Sequence, residues 1–523
     1  MNEFKLKQIK IGFAEGEKEA QENNFLDIFY TQNNKYNELL QKYKFIISGR
    51  KGTGKTILAK YYQKINNNGL FIVDYIKLEK ISLNYYIEMY SPKIDKDISR
   101  LFQEYYIYNQ YIQTIINNKK ECKDFYPKNP SFIDKIKSYS KYKKYINIYN
   151  EIKELHYKIY PNGAYKEIDI KTMKKIIEND SIATKIGNEK TKIDTSIGET
   201  KESSTEKTLI KKNFAENIEQ FKRLVLSCLQ YVDITLIIDN LDEIKMDDTN
   251  SLVSFLIDLV IVVNEINILT TSRSDKSKCI ILIRSDIIDL FNSRNSNINK
   301  ILVDSNVELE WFKNGSELEK MIMYKISKSD ITNSIAQYSP KDIKHIIFEE
   351  SNSAFYDTAF DKIVKFSFGR PRDVITYIDC VIKNYPNEKQ ITFKMLKTSE
   401  LTYSQKILNE IRNEMSIKYT PEEIDNTLSL LRNYGKSIFK YNEIIDFYEK
   451  HIELYKNITN INDTLQYLYQ LGIIGNSRKE KKSKKAKKYV FYYNWSYRNG
   501  GDILNKDWDI VIHFSIRKAL NII

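Results

Sequence analysis

The chain has 523 residues, of which 42% are hydrophobic and 29% charged. It is therefore long enough for two to four domains of roughly 100–200 residues and lies outside the compositional range of disordered chains and membrane bundles. Its 82 Lys and Arg against 69 Asp and Glu leave a formal charge of +13, which favours polyanionic partners; the joint abundance of Lys, Asn, Ile and Tyr is also what an AT-biased genome produces. Four cysteines (Cys122, Cys228, Cys279, Cys380) and four histidines (His156, His345, His451, His513) are scattered. Without CxxC or metal-ligand spacing they exclude a zinc hydrolase or a Ser-His-Asp site and predict reduced, buried thiols.

In chain order, Met1 to Gly12 alternates Lys with single apolar residues, a pattern without the apolar stretch of a secretory signal. Residues 1–35 read as a polar N-terminal segment, with a helix expected over Asp27 to Leu40. Phe45 to Ser48 is a short strand, Thr56 to Ile65 a helix and Leu70 to Asp74 a second strand, a β-α-β winding. From about 90 to 213 a Tyr- and Lys-rich helical insertion runs into the Ser-, Thr-, Lys- and Glu-rich stretch Asp180 to Lys212, expected as a solvated loop. Helix, strand, helix and strand follow at Phe214 to Leu229, Ile234 to Ile238, Ser251 to Leu269 and Cys279 to Ile283. The longest apolar run, Leu252 to Val263, is interrupted by Asp258 and is shorter than the ~20 residues of a bilayer span. No membrane span and a cytoplasmic location are the expectation.

After Trp311 the strand signals give way to helices over 316–400, one opened by Ser316 and one following Pro371. Residues 401–523 form a last domain. Thr420-Pro421-Glu422-Glu423 combines a cap, Pro at the first helical position and a capping-box Glu, with Gly435 as the stop. Helices over Asn442 to Tyr455 and Asp463 to Leu471 and strands at Ile473-Ile474 and Tyr489 to Tyr493 complete a winged-helix pattern.

The chemistry concentrates in two segments. Gly49-Arg50-Lys51-Gly52-Thr53-Gly54-Lys55-Thr56 satisfies GxxxxGK[ST] between a strand and a helix and holds three of only 16 glycines. The glycines let backbone N–H groups turn toward phosphate oxygens, Lys55 supplies charge for the β- and γ-phosphates, and the Thr56 hydroxyl is a ligand for Mg²⁺. Thr235 to Glu243 (TLIIDNLDE) is an apolar strand ending in carboxylates. Asp239 is placed to hold the magnesium shell, and Glu243 or Asp242 to orient or deprotonate the attacking water. ATP with Mg²⁺ is thus the expected ligand pair; GTP is disfavoured because no NKxD segment follows.

These residues carry a resemblance. The hhhhDxLDE form looks like the Walker B segment of STAND-type signalling ATPases, including the NACHT group. Ile280 to Asp286 (IILIRSD) is similar to the next strand of that class, which implies that Arg284 senses the γ-phosphate. Gly369-Arg370-Pro371-Arg372-Asp373 resembles both the GxP motif of STAND proteins and the arginine-bearing sensor 2 of origin-recognition initiator ATPases, implying such a role for Arg370 or Arg372. Together GRKGTGKT, IIDNLDE, LIRSDI, NKILVDSNVELEW and GRPRD resemble a poorly characterised bacterial P-loop ATPase family whose members have a similar C-terminal tail. The resemblance covers 36–90, 214–400 and, less closely, 401–523. It implies an α/β P-loop core of the ASCE (AAA+-related) type over 36–315, a helical lid over 316–400 and a winged helix over 401–523. No N-terminal effector domain or C-terminal sensor repeat is recognisable, and about 180 residues separate Lys55 from Asp239, which requires a large insertion in the core.

Between 478 and 488, Arg478, Lys479, Lys481, Lys482, Lys484, Lys485, Lys487 and Lys488 stand against Glu480 alone and contribute +7 of the +13. Charge at a wing tip suits a DNA backbone, with Asp463 to Leu471 as the groove-facing helix. The expected protein is an ATP-hydrolysing switch whose nucleotide state controls DNA or protein-partner binding, with homo-oligomerisation on ATP binding and roles in anti-phage defence or genome maintenance as settings. Its rivals are a nucleotide-dependent scaffold with little turnover and a P-loop kinase.

Overall fold

The computed structural model describes residues 4–77, 96–159, 216–241, 249–291, 296–312, 317–331, 338–351, 356–481, 489–499 and 503–522. Contacts divide the chain into two units. A parallel-sheet unit is built from residues 34–49 and 55–309, and a helical unit from residues 1–33, 50–54 and 310–523.

The parallel-sheet unit has five strands: β1 (Ile46–Gly49), β2 (Phe71–Lys77), β3 (Asp233–Asp239), β4 (Lys278–Arg284) and β5 (Asn306–Glu308). They are all parallel, in the order β2-β3-β4-β1-β5. Continuous apolar runs such as Ile280 to Ile283 suit strands covered on both faces, and β4 is buried along its whole length. The helix Lys55–Asn66 links β1 to β2, and Thr249–Thr271 links β3 to β4. The helices Lys96–Asn117 and Phe132–Ile159 of the insertion join the same core, through Tyr108, Tyr111 and Ile112 on the first and Tyr145 and Ile152 on the second. Lys278 is buried, and its ammonium donates to the carbonyls of Leu39, Gln41 and Lys44 at 2.6, 2.9 and 2.8 Å, tying the segment before β1 to the start of β4.

The helix Thr249–Thr271 departs from expectation. Its segment Ser251–Thr271 is long and apolar enough to cross a membrane by length and composition, since the apolar pattern continues past Val263. Two thirds of its most apolar window is buried inside the protein. Val253, Leu256, Val260 and Val263 enter the core, and the buried Asp258 accepts a forked pair of hydrogen bonds from Arg100 at 2.8 and 2.6 Å.

In the helical unit, short helices at Gly16–Gln21 and Phe25–Ile28 precede the loop residues 50–54 and the helices Glu317–Ser327, Pro340–Ile347, Ala359–Lys365, Pro371–Asn384 and Phe393–Met415. Pro421–Tyr434, Tyr441–Lys450 and Ile461–Gln470 follow, with an antiparallel sheet of β6 (Ile438–Phe439), β7 (Ile474–Lys481), β8 (Tyr489–Asn494) and β9 (Asp509–Ile512), ordered β6-β9-β7-β8. One core runs through all of it, from Leu6 and Ile9 through Ile378 and Leu468 to Leu520. The Thr420 hydroxyl accepts the Glu423 N–H, and Gly435 closes that helix at φ +75°, as its sequence requires.

Several local expectations are corrected. The helix expected over Asp27 to Leu40 is two, Phe25–Ile28 and Lys35–Leu40, because Asn34 takes φ +61° between them. The helix expected over Asn442 to Tyr455 ends at Lys450 and continues only as a 3₁₀ turn at Ile452–Tyr455. Cys228, Cys279 and Cys380 are buried free thiols, whereas Cys122 is half-buried. Ser316 and the stretch 180–212 lie outside the described residues.

Candidate functional site

The glycine-rich loop begins where β1 ends, and the helix Lys55–Asn66 begins where it closes. Gly52 and Gly54 have φ of +84° and +101°, the left-handed backbone that aims successive N–H groups to one side and that side chains resist. A Cβ at Gly54 would meet nothing within 4 Å, so it is the backbone conformation that asks for glycine there. The Lys55 ammonium donates to the Gly49 carbonyl at 2.8 Å, back to the last residue of β1.

The sheet brings the other candidates of this unit to the same end. Gly49 pairs in register with Arg284, so the last residues of β1 and β4 are side by side. Asp239, the last residue of β3, is 6% exposed, and its Oδ2 accepts the Thr56 hydroxyl at 2.9 Å and the Tyr75 hydroxyl. Its Oδ1 accepts the Asn240 N–H at 2.7 Å. Arg284 is buried and held by a fork to Asp286, Nε to Oδ1 at 3.0 Å and Nη2 to Oδ2 at 2.6 Å. Carboxyl ends of neighbouring parallel strands are where open α/β sheets place ligands. Among the described residues no group of three His, Cys, Asp or Glu is placed to hold a metal ion. One hydroxyl and one carboxylate, Thr56 and Asp239, suit instead a hard cation that keeps most of its shell from water and phosphate. Asp242 and Glu243 lie outside the described residues.

Residues 50–54 group with the helical unit. Arg50 donates to the carbonyls of Gln470 and Leu471 at the end of the helix Ile461–Gln470, and its guanidinium stands 5.8 Å from the Tyr497 ring. The Trp311 indole N–H donates to the Thr53 carbonyl at 2.9 Å, and the Arg372 N–H points at the Gly52 carbonyl at 3.4 Å. A Cβ on Gly52 would meet the Arg372 side chain at 3.0 Å. Glu410 takes Arg372 at 3.2 Å and stands 3.6 Å from the Lys51 ammonium, while Arg372 Nε donates to the Ala14 carbonyl.

Arg372 thus lies against the loop, and Arg370 does not. Arg370 is buried and paired with Asp373 at 2.9 Å and with Glu414. Burial works against its charge, but those two carboxylates outweigh it and raise its pKa. Tyr75, Trp311 and Glu410 were not among the residues singled out from the sequence. Each is an ordinary residue of a strand, loop or helix whose relevance lies in what it touches.

Residues 316–412 match the model of the FunZ-associated C-terminal helical domain. The described residues of that stretch form the helices from Glu317–Ser327 through most of Phe393–Met415. No curated protein matches the chain.

Proposed function

We propose that the protein binds and hydrolyses ATP with Mg²⁺ in a P-loop core of the ASCE type, and that its nucleotide state controls the binding of DNA or a protein partner through a C-terminal winged helix. The observation that carries the reading is the 2.9 Å hydrogen bond from Thr56, at the end of the glycine-rich loop, to Asp239, 183 residues away. It is supported by the position of β4 between β1 and β3, the extra strand that gives the ASCE class its form.

In this reading the loop N–H groups and Lys55 cradle the triphosphate, and Thr56 and Asp239 hold the cation and its water. Bound Mg²⁺ would neutralise charge on the β- and γ-phosphates. Asp242 or Glu243, following β3, orients or deprotonates the water, and Arg284 is the candidate arginine of the parallel-sheet unit for the γ-phosphate; of the two motif arginines in the helical unit, Arg370 is committed to Asp373 and Glu414, which leaves Arg372 for a sensor role. For the C-terminal part, the chain order helix, β6, helix, helix, β7, β8 supports a winged helix, with β9 added between β6 and β7. Arg50 supports the coupling, because a residue of the phosphate loop donates to the last carbonyls of the helix expected to face DNA. A cytoplasmic location and assembly on ATP binding belong to the same proposal.

The test is Lys55→Ala. Phosphate release should fall at least 100-fold and nucleotide affinity at least 10-fold, with the circular dichroism spectrum unchanged, because Lys55 supplies phosphate charge rather than packing. Normal turnover in the folded variant rejects an ATPase at this site. Tight nucleotide binding with negligible turnover in the wild type favours the scaffold.

A further inference from the structure

We infer that Tyr75 and Lys60 form a positioning pair that orients the Asp239 carboxylate for a divalent cation, Tyr75 through its hydroxyl and Lys60 through the Tyr75 ring. The inference rests on reading the Gly49 to Thr56 loop and Asp239 as a metal-nucleotide site. β2 and β3 run parallel, with Tyr75 beside Ile237 and Lys77 beside Asp239. The period of two puts Tyr75 and Asp239 on the same face of the sheet, one step apart along the strands. The helix Lys55–Asn66 lies against β2 on that face: its Gln63 donates to the Val73 carbonyl at 3.1 Å, and its Lys60 ammonium stands 3.2 Å from the centre of the Tyr75 ring.

The Tyr75 hydroxyl and the Thr56 hydroxyl converge on Oδ2 of Asp239, while Oδ1 takes the Asn240 N–H. An aspartate χ2 is a broad torsion with no sharp rotamer of its own, so the plane of the carboxylate is set by its donors. Two donors occupy the two lone pairs of Oδ2, and one lone pair of Oδ1 remains to accept from the cation or its water. Mg²⁺ tolerates little deviation from an octahedron with ligands at about 2.0–2.1 Å, so a carboxylate free to turn would bind it less well. The ammonium over the ring is attracted to its π face and draws electron density from the phenol, which makes the hydroxyl a stronger donor. Phe would pack this position as well; only the hydroxyl reaches Asp239.

Wild type, Tyr75→Phe and Lys60→Met would be compared by Mn²⁺ titration followed by electron paramagnetic resonance in the presence of ATP, and by binding of a fluorescent ATP analogue with and without Mg²⁺. Tyr75→Phe should weaken Mn²⁺ binding about 10-fold or more, the usual cost of losing a partner that orients a ligand. Its affinity for the analogue without metal should equal that of the wild type, and raised Mg²⁺ should restore turnover. Lys60→Met should act in the same direction by about 2- to 5-fold, and it serves as the second test should the Phe variant fold poorly. Wild type that binds no nucleotide overturns the reading of the loop and this inference with it. Wild type that binds nucleotide, with variants matching its Mn²⁺ affinity, overturns this inference alone.

Discussion

His513 is fully buried between rings: Phe368 stacks on it at 4.0 Å, the Tyr497 hydroxyl is 2.9 Å from Nε2, and the Ser515 hydroxyl is 2.7 Å from Nδ1. Burial, reinforced by Arg517, Arg498 and Arg370, holds its pKa well below 6.5, so the folded protein keeps it neutral. The unfolded chain takes up a proton below about 6.5 that the native state refuses. Stability from this group is therefore present above that pH and is lost as pH falls, at up to about 1.4 kcal/mol per pH unit. His513→Gln should be less stable at pH 7.5, because the packing is lost. Its further loss between pH 6.5 and 5 should be smaller than that of wild type, measured by urea unfolding. Parallel pH dependences in the two proteins would mean that His513 takes up its proton in the native state as readily as in the unfolded chain.

At the scale of elements, the N-terminal segment shows how a sequence too weak to fold by itself is held. The helix Gly16–Gln21 has six residues, well below the length at which a helix is stable alone. It is secured by Glu19, which is fully buried, pairs with Lys325 of the helix Glu317–Ser327 and accepts the Phe13 N–H at 3.1 Å. Lys325→Met should destabilise the helical unit by about 3–5 kcal/mol, because Glu19 is left as an uncompensated buried charge. Adding Glu19→Gln should recover much of that loss. Denaturant unfolding of the single and double variants measures both steps; a single variant within 1 kcal/mol of wild type (roughly the worth of an exposed pair) would show that the pair contributes little.

Across the whole molecule, the uneven distribution of charge is the feature most open to experiment. β9 pairs with β7 only from Ile474 to Ser477, whereas β8 pairs with it from Asn476 to Lys481. Beyond Ser477 the hairpin is therefore a two-stranded ribbon, with Arg478, Lys479, Phe491 and Tyr492 exposed. The lysines from 482 to 488 continue it in sequence and lie outside the described residues. If the ribbon engages about four DNA phosphates, log affinity should fall with log salt at a slope near −3.6, roughly 100-fold between 50 and 200 mM salt. Replacing Lys481, Lys482, Lys484 and Lys485 with Gln should flatten the slope and weaken binding to all sequences alike, leaving the proposed ATPase activity, measured without DNA, unchanged. Fluorescence anisotropy with duplex and single-stranded DNA over a salt series checks this. Equal slopes in both proteins would make a protein the better candidate partner.

What the sequence by itself determined are the features whose cause is local. The glycines that allow the turn at Gly52 and Gly54, the apolar runs that became β1 to β4, and the Thr420 cap with its Gly435 stop are written in adjacent residues, because backbone sterics and side-chain periodicity act over a few positions. β5 and β6 carry no such signal: they are three and two residues long and are strands because a neighbour pairs with them. Only the tertiary structure decided that Thr56 and Tyr75 meet on Asp239, that Arg50 caps the helix Ile461–Gln470, and that Arg370 lies buried between two carboxylates while Arg372 lies on Gly52. Apart from Arg370 with Asp373, three residues on, those pairings join residues distant in sequence. They are selected by the packing free energy of each unit's core against the entropy of closing long loops, a balance that no short stretch of sequence records.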